Sequence, residues 1–364
     1  MQLVINTRRT SLRRKGDRFL IKSGDKQVAF SAQKVQSIVI ATGVHFSSDV
    51  IHLAAEHNVD VVFLDRSGQP ISRVWQTKLG STATIRRRQI EAADKDDGLQ
   101  IVRQWIETKI TNQLAFLREL ERRRTASETT EKRIASIAAA LAKLPEITGT
   151  IDEARSAIMA IEAQAGRAYF ACLGELLPQE YRFETRSRQP ATDPFNATLN
   201  YAYGVLYSQV ERALILAGLD PFVGFLHTDN YNKRSLVFDM IEPFRIIAER
   251  ISVLLFTGRR MKKDYFREIP GGIELSPDGR AALMTDLNKR LDKSIKVYSR
   301  KATEPDSALD AGRETSAEKP TLRKFRRLKQ RTAIQHEAHA TANLLLGRHD
   351  IPRIVETEVL LEDP

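Results

Sequence analysis

Residues 101–117 read IVRQWIETKITNQLAFL, and this stretch decides the class of the fold. Its apolar side chains recur at intervals of three and four residues, which is the spacing of one helix face. After a polar break at 125–131, the same spacing resumes between Ile134 and Leu144. The pattern predicts that the chain is helical from about residue 88 onward. Further helices are predicted at 152–176, 196–217, 239–257, 278–298 and 321–346.

The stretch before residue 76 has a different pattern, with short β-branched runs between turns. Phe19–Lys22 and Gln27–Ser31 flank Ser23-Gly-Asp-Lys26, which has the composition of a hairpin loop. Further strands are predicted at 36–41, 60–65 and 71–75. Ser47, Ser48 and Asp49 are predicted to cap a short helix whose apolar face contains Val50, Leu53 and Ala54.

These two patterns predict a two-domain α+β protein, with a small β-rich N-terminal domain followed by a larger all-α C-terminal domain. We place the β-rich domain at 1–80 and the helical domain at 81–301. Residues 302–320 are rich in Glu, Asp, Ser, Ala and Thr, and such a composition predicts a flexible linker. Residues 321–364 would then form a basic C-terminal helix and tail.

Composition restricts the function. The chain has 364 residues, with 57 Lys and Arg against 46 Asp and Glu, for a net charge of +11. This excess favours a polyanionic partner, although a solvated surface can carry the same charge. Cys172 is the single cysteine, which excludes disulfide frameworks and Cys-rich metal sites and favours a cytoplasmic protein. No apolar run is long enough to predict a membrane span.

Common active-site motifs are missing from the sequence: it has no dinucleotide-binding fingerprint, no phosphate-binding Gly-Lys-Ser/Thr loop and no Gly-x-Ser-x-Gly motif. The segment His336-Glu337-Ala338-His339 resembles a zinc-protease helix, but its histidines are three residues apart instead of four. We therefore expect a solvated terminal helix at this position.

Polar residues cluster in one part of the helical half. His227 ends an apolar approach, and Asp239 and Glu242 follow three residues apart, on one face if this stretch is helical. Two acids that repel each other require a compensating cation, which is either Arg245 or a bound metal. Pro243 is expected to kink a helix or to start one. The alternatives are a surface ion-pair network and a core histidine.

Glu162 is a further candidate, since it lies in a helix whose buried stripe is predicted to be Ile158, Ile161, Ala165 and Tyr169. This places its carboxylate beside the core, where it needs a partner on another helix. An ion pair with that helix is the alternative to a metal.

Four motifs, in this order, resemble those of the CRISPR-associated spacer-acquisition integrases. They are Glu162 ahead of Gly166-Arg167-x-Tyr169-Phe170, Asp193-Pro-Phe-Asn196 with Asn200-Tyr-x-Tyr203-Gly204, Gly224-Phe-Leu-His227, and Ser235-Leu-Val-Phe-Asp239-x-x-Glu242-Pro-Phe-Arg245. The resemblance covers roughly residues 15 to 300 and includes Val61-Val-Phe-Leu-Asp65 near the N-terminus.

The resemblance implies a β-rich domain that forms a homodimer and a helical domain that carries a divalent-metal site. Glu162, His227 and Glu242 would be the ligands of Mg²⁺ or Mn²⁺, and Asp239 would support them as a fourth catalytic residue. It also implies a complex with a second, small CRISPR-associated protein, and the insertion of short double-stranded DNA spacers into a repeat array by transesterification. A DNA 3′ hydroxyl would be the nucleophile in that reaction.

Basic residues near the predicted metal site are expected to contact DNA phosphates without reading the sequence. They are Arg259, Arg260, Lys262, Lys263, Arg267, Lys289, Arg290 and Lys293. Two other functions compete with the integrase. One is a stand-alone metal nuclease that acts on branched DNA, and the other is a catalytically silent DNA-bridging subunit.

Overall fold

The computed structural model describes residues 2–65, 70–74, 82–93, 95–122, 128–228, 231, 233–299, 325–348 and 354–358. The N-terminal elements are β1 (Gln2–Ile5), β2 (Thr10–Lys15), β3 (Arg18–Ser23), β4 (Lys26–Ser31), β5 (Ser37–Ile40), β6 (Val44–Phe46), α1 (Ser48–Glu56), β7 (Asp60–Leu64) and β8 (Pro70–Val74). The predicted hairpin is confirmed, since β3 and β4 pair antiparallel with Ser23 opposite Lys26.

Two four-stranded sheets make up this β-rich part. In one, the order is β1-β5-β7-β8, and the first three strands are parallel while β8 is antiparallel to β7. In the other, the order is β4-β3-β2-β6. Strands of both sheets and α1 contribute apolar side chains to one shared cluster. The fully buried members of this cluster are Leu12, Phe19, Ala32, Ile38, Val50 and Leu53.

Helices dominate the rest of the described chain. They are α2 (Thr82–Ala93), α3 (Asp96–Arg122), α4 (Glu128–Ala142), α5 (Ile151–Leu176), α6 (Pro194–Leu216), α7 (Ser235–Met240), α8 (Arg245–Thr257), α9 (Pro277–Asp292) and α10 (Gln330–Leu345). The predicted α+β class is confirmed by this succession. The buried stripe predicted for α5 is also confirmed, as Ile158, Ile161, Ala165 and Tyr169 are all buried.

The second part is not all-α as predicted. A hairpin of β9 (Phe266–Ile269) and β10 (Gly272–Leu275) lies between α8 and α9. A three-stranded sheet with β11 in the middle follows, formed by β11 (Ser294–Ser299), β12 (Phe325–Lys329) and β13 (Ile354–Glu358). The predicted helix 278–298 therefore ends at Asp292. Ile295 and Val297 alternate with polar residues, and this period of two favours a strand over a helix.

The predicted helix 239–257 is interrupted at Pro243. A short 3-10 turn at Glu242–Phe244 separates α7 from α8, and Pro243 occupies a first-turn position in it. Proline has no backbone N–H, so it interrupts α7 and is tolerated where a new helical turn begins. Asp239 and Glu242 therefore lie in different elements, α7 and the 3-10 turn.

Local sequence signals explain where the long helices begin. Thr150 and Glu153 form a capping box at the start of α5. Asp193 caps α6 by accepting a hydrogen bond from Asn196 N at 2.8 Å. Pro194 follows it in the first turn.

The C-terminal helix α10 is not the solvated helix that the sequence predicted. It packs against α2, α6 and α9. Glu337 is fully buried and accepts a hydrogen bond from Trp105 Nε1 of α3 at 2.8 Å. The predicted linker at 302–320 lies outside the described residues.

Candidate active site

A buried lysine joins two of the predicted site residues. The Nζ atom of Lys109 contacts Oε1 of Glu162 and lies 2.6 Å from Oε2 of Glu242. Each of these residues comes from a different element: Lys109 from α3, Glu162 from α5, and Glu242 from the 3-10 turn before α8. The inter-helix partner that the sequence required for Glu162 is therefore present, and it is a cation shared with Glu242.

Opposite charges hold Lys109 and Glu242 in their ionised forms. Burial lowers the pKa of the Lys109 ammonium, but the carboxylates of Glu242 and Glu162 outweigh it and raise the pKa above its ordinary value. Burial raises the pKa of Glu242, but Arg245 and Lys109 outweigh it and lower the pKa to about 2. Both carboxylates thus face the Lys109 ammonium, and Glu242 does so in a buried position while Glu162 is one-third exposed.

Arg245 supports Glu242 from the other side. Its Nε and Nη2 atoms lie 2.9 and 2.8 Å from Glu242 Oε1. The guanidinium lies over the ring of Tyr203, with 4.8 Å between Cζ and the ring centroid. The Tyr203 hydroxyl donates a hydrogen bond to Glu249 Oε1 at 2.7 Å. Arg245, one of the two compensating cations that the sequence offered for the acidic pair, thus pairs with Glu242, whereas Asp239 contacts His227.

Asp239 organises the backbone around His227. One of its carboxylate oxygens accepts hydrogen bonds from Phe225 N and Leu226 N, at 2.7 and 3.0 Å. The other accepts a hydrogen bond from His227 N at 3.0 Å and lies 2.6 Å from His227 Nδ1. A neutral imidazole that donates from Nδ1 to a carboxylate keeps the lone pair of Nε2 for a ligand.

Two further residues hold the His227 segment in place. A side chain at Gly224 would bring its Cβ to 2.5 Å from Ser235 Cβ and 2.7 Å from His227 O, so this close approach requires glycine. Arg155 of α5 donates hydrogen bonds to the carbonyls of Leu226 and Phe225, at 3.0 and 3.1 Å. The segment that carries His227 is therefore fixed to the helix that carries Glu162.

The four predicted catalytic residues form two contacting pairs. Glu162 and Glu242 meet through Lys109, and His227 meets Asp239. In the part of the chain that the structure describes, no three His, Cys, Asp or Glu side chains lie close enough together to hold a metal ion as they stand. The coordination of one ion by Glu162, His227 and Glu242 stays a prediction.

The donor groups themselves fit a hard divalent cation. Two carboxylate oxygens from different elements already converge on one positive charge. Apart from its ion pair with Lys109, Glu242 Oε2 is buried and accepts no hydrogen bond from the described residues. A Cβ added at Gly166 would have only Glu162 Oε1 within 4 Å, at 3.7 Å, so there is space beside this oxygen. Oxygen ligands of this kind suit Mg²⁺ and Mn²⁺.

Seven of the eight basic residues predicted to contact DNA are exposed. They are Arg259, Arg260, Lys262, Lys263, Arg267, Lys289 and Lys293. Arg260 pairs with Asp286, and Arg267 pairs with Glu274. Arg290 differs, because its side chain is buried and its pKa is lowered to about 10 by burial and by Arg250. Burial makes Arg290 unsuitable as a phosphate contact, which corrects that prediction.

Lys109 is the site residue that our sequence analysis missed. A signal for it exists, since Lys109 lies within the apolar stripe of α3, between Ile106 and Ile110 and four residues after Trp105. A charge at a core position indicates a buried partner. The sequence does not indicate that this partner is a pair of carboxylates, because they come from residues 53 and 133 positions later.

Comparisons with known proteins give matches that cover most of the chain. The family model described as CRISPR associated protein Cas1 matches residues 3–289. A curated relative from Archaeoglobus fulgidus, named CRISPR-associated endonuclease Cas1 1, is 32% identical over 281 residues, which covers 74% of this chain and 81% of the relative.

Solved structures share the fold at lower sequence identity. A casposase bound to integration product has a TM-score of 0.77 and 22% identity, over 97% of this chain and 93% of the casposase. A Cas1 protein from Thermotoga maritima has a TM-score of 0.73 and 18% identity, over 100% of this chain and 99% of its own. Among the described residues, no helix is long and apolar enough to cross a membrane.

Proposed function

Since the chain belongs to the CRISPR associated protein Cas1 family, we propose that it is a divalent-metal-dependent DNA endonuclease and integrase that inserts short spacers into a CRISPR array. The observation that carries this proposal is the convergence of Glu162 and Glu242 on one cation, with Glu162 on the same helix that fixes the His227 segment through Arg155.

We assign the metal ligands of this enzyme to Glu162, His227 and Glu242. When bound, Mg²⁺ or Mn²⁺ neutralises nonbridging phosphate oxygens and supports in-line attack on the phosphodiester. Asp239 orients His227 through Nδ1, so that Nε2 points a lone pair away from the carboxylate. Arg245 keeps Glu242 ionised and fixes the direction of its carboxylate.

The chain does not need a nucleophile of its own for this reaction. In transesterification the attacking group is a DNA 3′ hydroxyl, and in hydrolysis it is water, so neither reaction forms a covalent enzyme intermediate. Positioning and electrostatic stabilisation then supply the catalysis. This agrees with the lack of a Ser or Cys nucleophile motif in the sequence.

We propose that DNA bound at the site also contacts the exposed basic residues that follow α8, since α8 itself is largely buried. This helix has 13 residues, begins at Arg245 beside Glu242 and ends just before the exposed basic group at 259–263. At about 1.5 Å per residue, the basic group lies roughly 20 Å from the site. A duplex that contacts both ends would extend over about six base pairs, at roughly 3.4 Å each.

The salt dependence of DNA binding tests these proposed phosphate contacts. The double variant Lys262→Gln with Lys263→Gln should weaken duplex binding for all sequences and reduce the slope of log K against log salt by about 2, because each phosphate contact contributes about 0.9. Lys132→Gln with Lys143→Gln, on and just after α4, is the control with the same charge change. Equal slopes for wild type and the 262/263 variant would exclude these contacts.

We further propose that residues 1–80 form the homodimer, that residues 81–301 form the catalytic unit, and that the dimer joins a second, small CRISPR-associated protein. Apolar side chains that the β-rich part leaves exposed support a dimer. They are Val28 on β4, Phe46 on β6 and Ile71 on β8. Sedimentation equilibrium measures whether the protein is a dimer, and a monomer at micromolar concentration would exclude the proposed homodimer.

An integration assay tests the proposed activity. The protein, its small partner, a supercoiled repeat-bearing plasmid, a short duplex and Mn²⁺ should give plasmid joined to duplex. His227→Ala should abolish joining, whereas His52→Ala, an exposed histidine on α1, should not. Nicking without joining would favour the stand-alone nuclease. Equal activity in wild type and His227→Ala would remove His227 from the mechanism, and no activity in either would favour the bridging subunit.

A further inference from the structure

Lys109 lies where the proposed ligands converge. Its side chain is 7% exposed, and its ammonium contacts one oxygen of Glu162 and one oxygen of Glu242. The amide of Asn112, one turn later on α3, donates a hydrogen bond to Pro243 O at 3.2 Å and so ties the turn that carries Glu242 to the same helix. Lys109 is therefore held at this point by its own helix and by both acidic partners.

The local charges balance without a metal. Glu162 and Glu242 contribute two negative charges, and Lys109 and Arg245 contribute two positive charges. Buried carboxylates that lose their counter-ion are strongly unfavourable, so the ammonium stabilises the site while it is empty of metal. Arg245 occupies Oε1 of Glu242, which leaves Oε2 for the ammonium.

A divalent ion and this ammonium compete for the same oxygens. Mg²⁺ binds carboxylate oxygens at about 2.1 Å, and Lys109 Nζ lies 2.6 Å from Glu242 Oε2. Two cations bound to the same two oxygens would be only a few ångströms apart in a buried site, where repulsion is screened weakly. Glu162 is one-third exposed, and a Cβ at Gly166 would lie 3.7 Å from its Oε1, so we expect the displaced ammonium to move toward this side of the site.

From these contacts we infer that Lys109 is the resident counter-ion of the metal site, which holds Glu162 and Glu242 together before the metal arrives and is displaced when both carboxylates bind it. This inference rests on the proposed function. It makes Lys109 a positioning residue that opposes metal binding, and it couples metal binding to a side-chain movement on α3.

Mn²⁺ titration of the full-length chain, followed by the electron paramagnetic resonance signal of free Mn²⁺, tests the inference. Lys109→Met removes the charge at similar length and should bind Mn²⁺ at least tenfold more tightly than wild type. Without metal it should also unfold at a lower temperature, and saturating Mn²⁺ should remove most of that difference. Lys109→Arg keeps the charge and should bind no more tightly than wild type. Lys132→Met, an exposed lysine on α4, is the matched control.

Other outcomes separate this inference from the proposed function. Wild type that binds Mn²⁺ while Lys109→Met binds it no more tightly would overturn the inference alone. No Mn²⁺ binding by either protein would overturn both. Tight binding that survives in Lys109→Met with Glu242→Gln would place the ion elsewhere and overturn the inference.

If Lys109→Met does not fold, a crystal structure of the wild type with Mn²⁺ decides the question. The Nζ atom should have left hydrogen-bond distance of both carboxylates, and an ammonium that still contacts both beside a bound ion would overturn the inference.

Discussion

At the scale of single residues, Asp239 contacts both the backbone and the side chain of the His227 segment. One carboxylate receives three backbone N–H groups and one imidazole nitrogen, all from residues 225–227. The motif from Gly224 to His227 therefore depends on an acid twelve residues later in the chain. Its buried oxygens fix both the fold of this segment and the orientation of His227.

Replacing Asp239 with Asn should weaken both the fold of this segment and the orientation of His227, and two different measurements report these effects. An amide offers one acceptor oxygen instead of two, so at least one buried N–H loses its acceptor and the free energy of unfolding should fall by about 1–3 kcal/mol. The loss of the carboxylate beside Nδ1 should lower Mn²⁺ affinity by about 10–100-fold. Denaturant unfolding and Mn²⁺ titration measure the two effects.

Asp25→Asn, in the exposed turn between β3 and β4, is the control for Asp239→Asn and should change neither quantity. Unchanged Mn²⁺ affinity in Asp239→Asn would show that Asp239 does not act through His227.

At the scale of elements, α3 connects the parts of the helical region. It contacts α5, α8 and the 242–244 turn, and through Trp105 it reaches α10. Trp105 and Glu337 are both buried, and 232 residues separate them in the chain. Beside the packing of α10 on α2, α6 and α9, this contact links α10 directly to the helix that carries Lys109.

Trp105→Phe should therefore loosen α10 selectively. It removes the N–H donor to Glu337 and leaves a cavity, for a cost of about 2–4 kcal/mol in the free energy of unfolding. Hydrogen exchange should become faster in α10 than in α5. Ile110→Val, also buried on α3, should cost about 1 kcal/mol without a selective effect on α10. Unchanged exchange in α10 would show that the Trp105 contact is not its anchor.

At the scale of the whole molecule, one buried ion cluster joins the β-rich part to the helices. Arg73 of β8 lies 3.0 Å from Asp60 of β7 and 2.9 Å from Glu211 of α6, and it donates a hydrogen bond to Ser208 O at 2.9 Å. Burial raises the pKa of Asp60 to about 6, despite the opposing effect of Arg73 and Arg212. We therefore expect the stability of the joint between the two parts to depend on pH.

The raised pKa of Asp60 determines whether stability rises or falls with pH. The pKa of Asp60 is higher in the folded protein than the ordinary value of 3.8, so protonation favours the folded state. Its contribution is complete below about pH 4 and is lost as the pH rises through 6. The stability advantage of wild type over Asp60→Asn should thus shrink between pH 4 and pH 7, by on the order of 2 kcal/mol. Urea unfolding at half-unit steps measures it, and an advantage that grows with pH would contradict the assignment.

The sequence by itself determined the features that depend on neighbouring residues. The hairpin at 18–31, the buried stripe of α5 and the break at Pro243 follow from periodicity, turn composition and the missing N–H of proline. The sequence motifs also indicated Glu162, His227, Asp239 and Glu242 as candidate site residues. Only the resemblance to a family predicted that they belong to one site.

Tertiary structure alone decided which charges meet. Lys109 with its two carboxylates, Asp60 with Arg73 and Glu211, and Trp105 with Glu337 each unite residues from distant parts of the chain. The strand order β1-β5-β7-β8 and the burial of α10 were likewise decided only by the tertiary structure. The periodicity of apolar residues predicts which face of each helix is buried. Which partner a buried charge contacts on that face depends on how all the elements pack together.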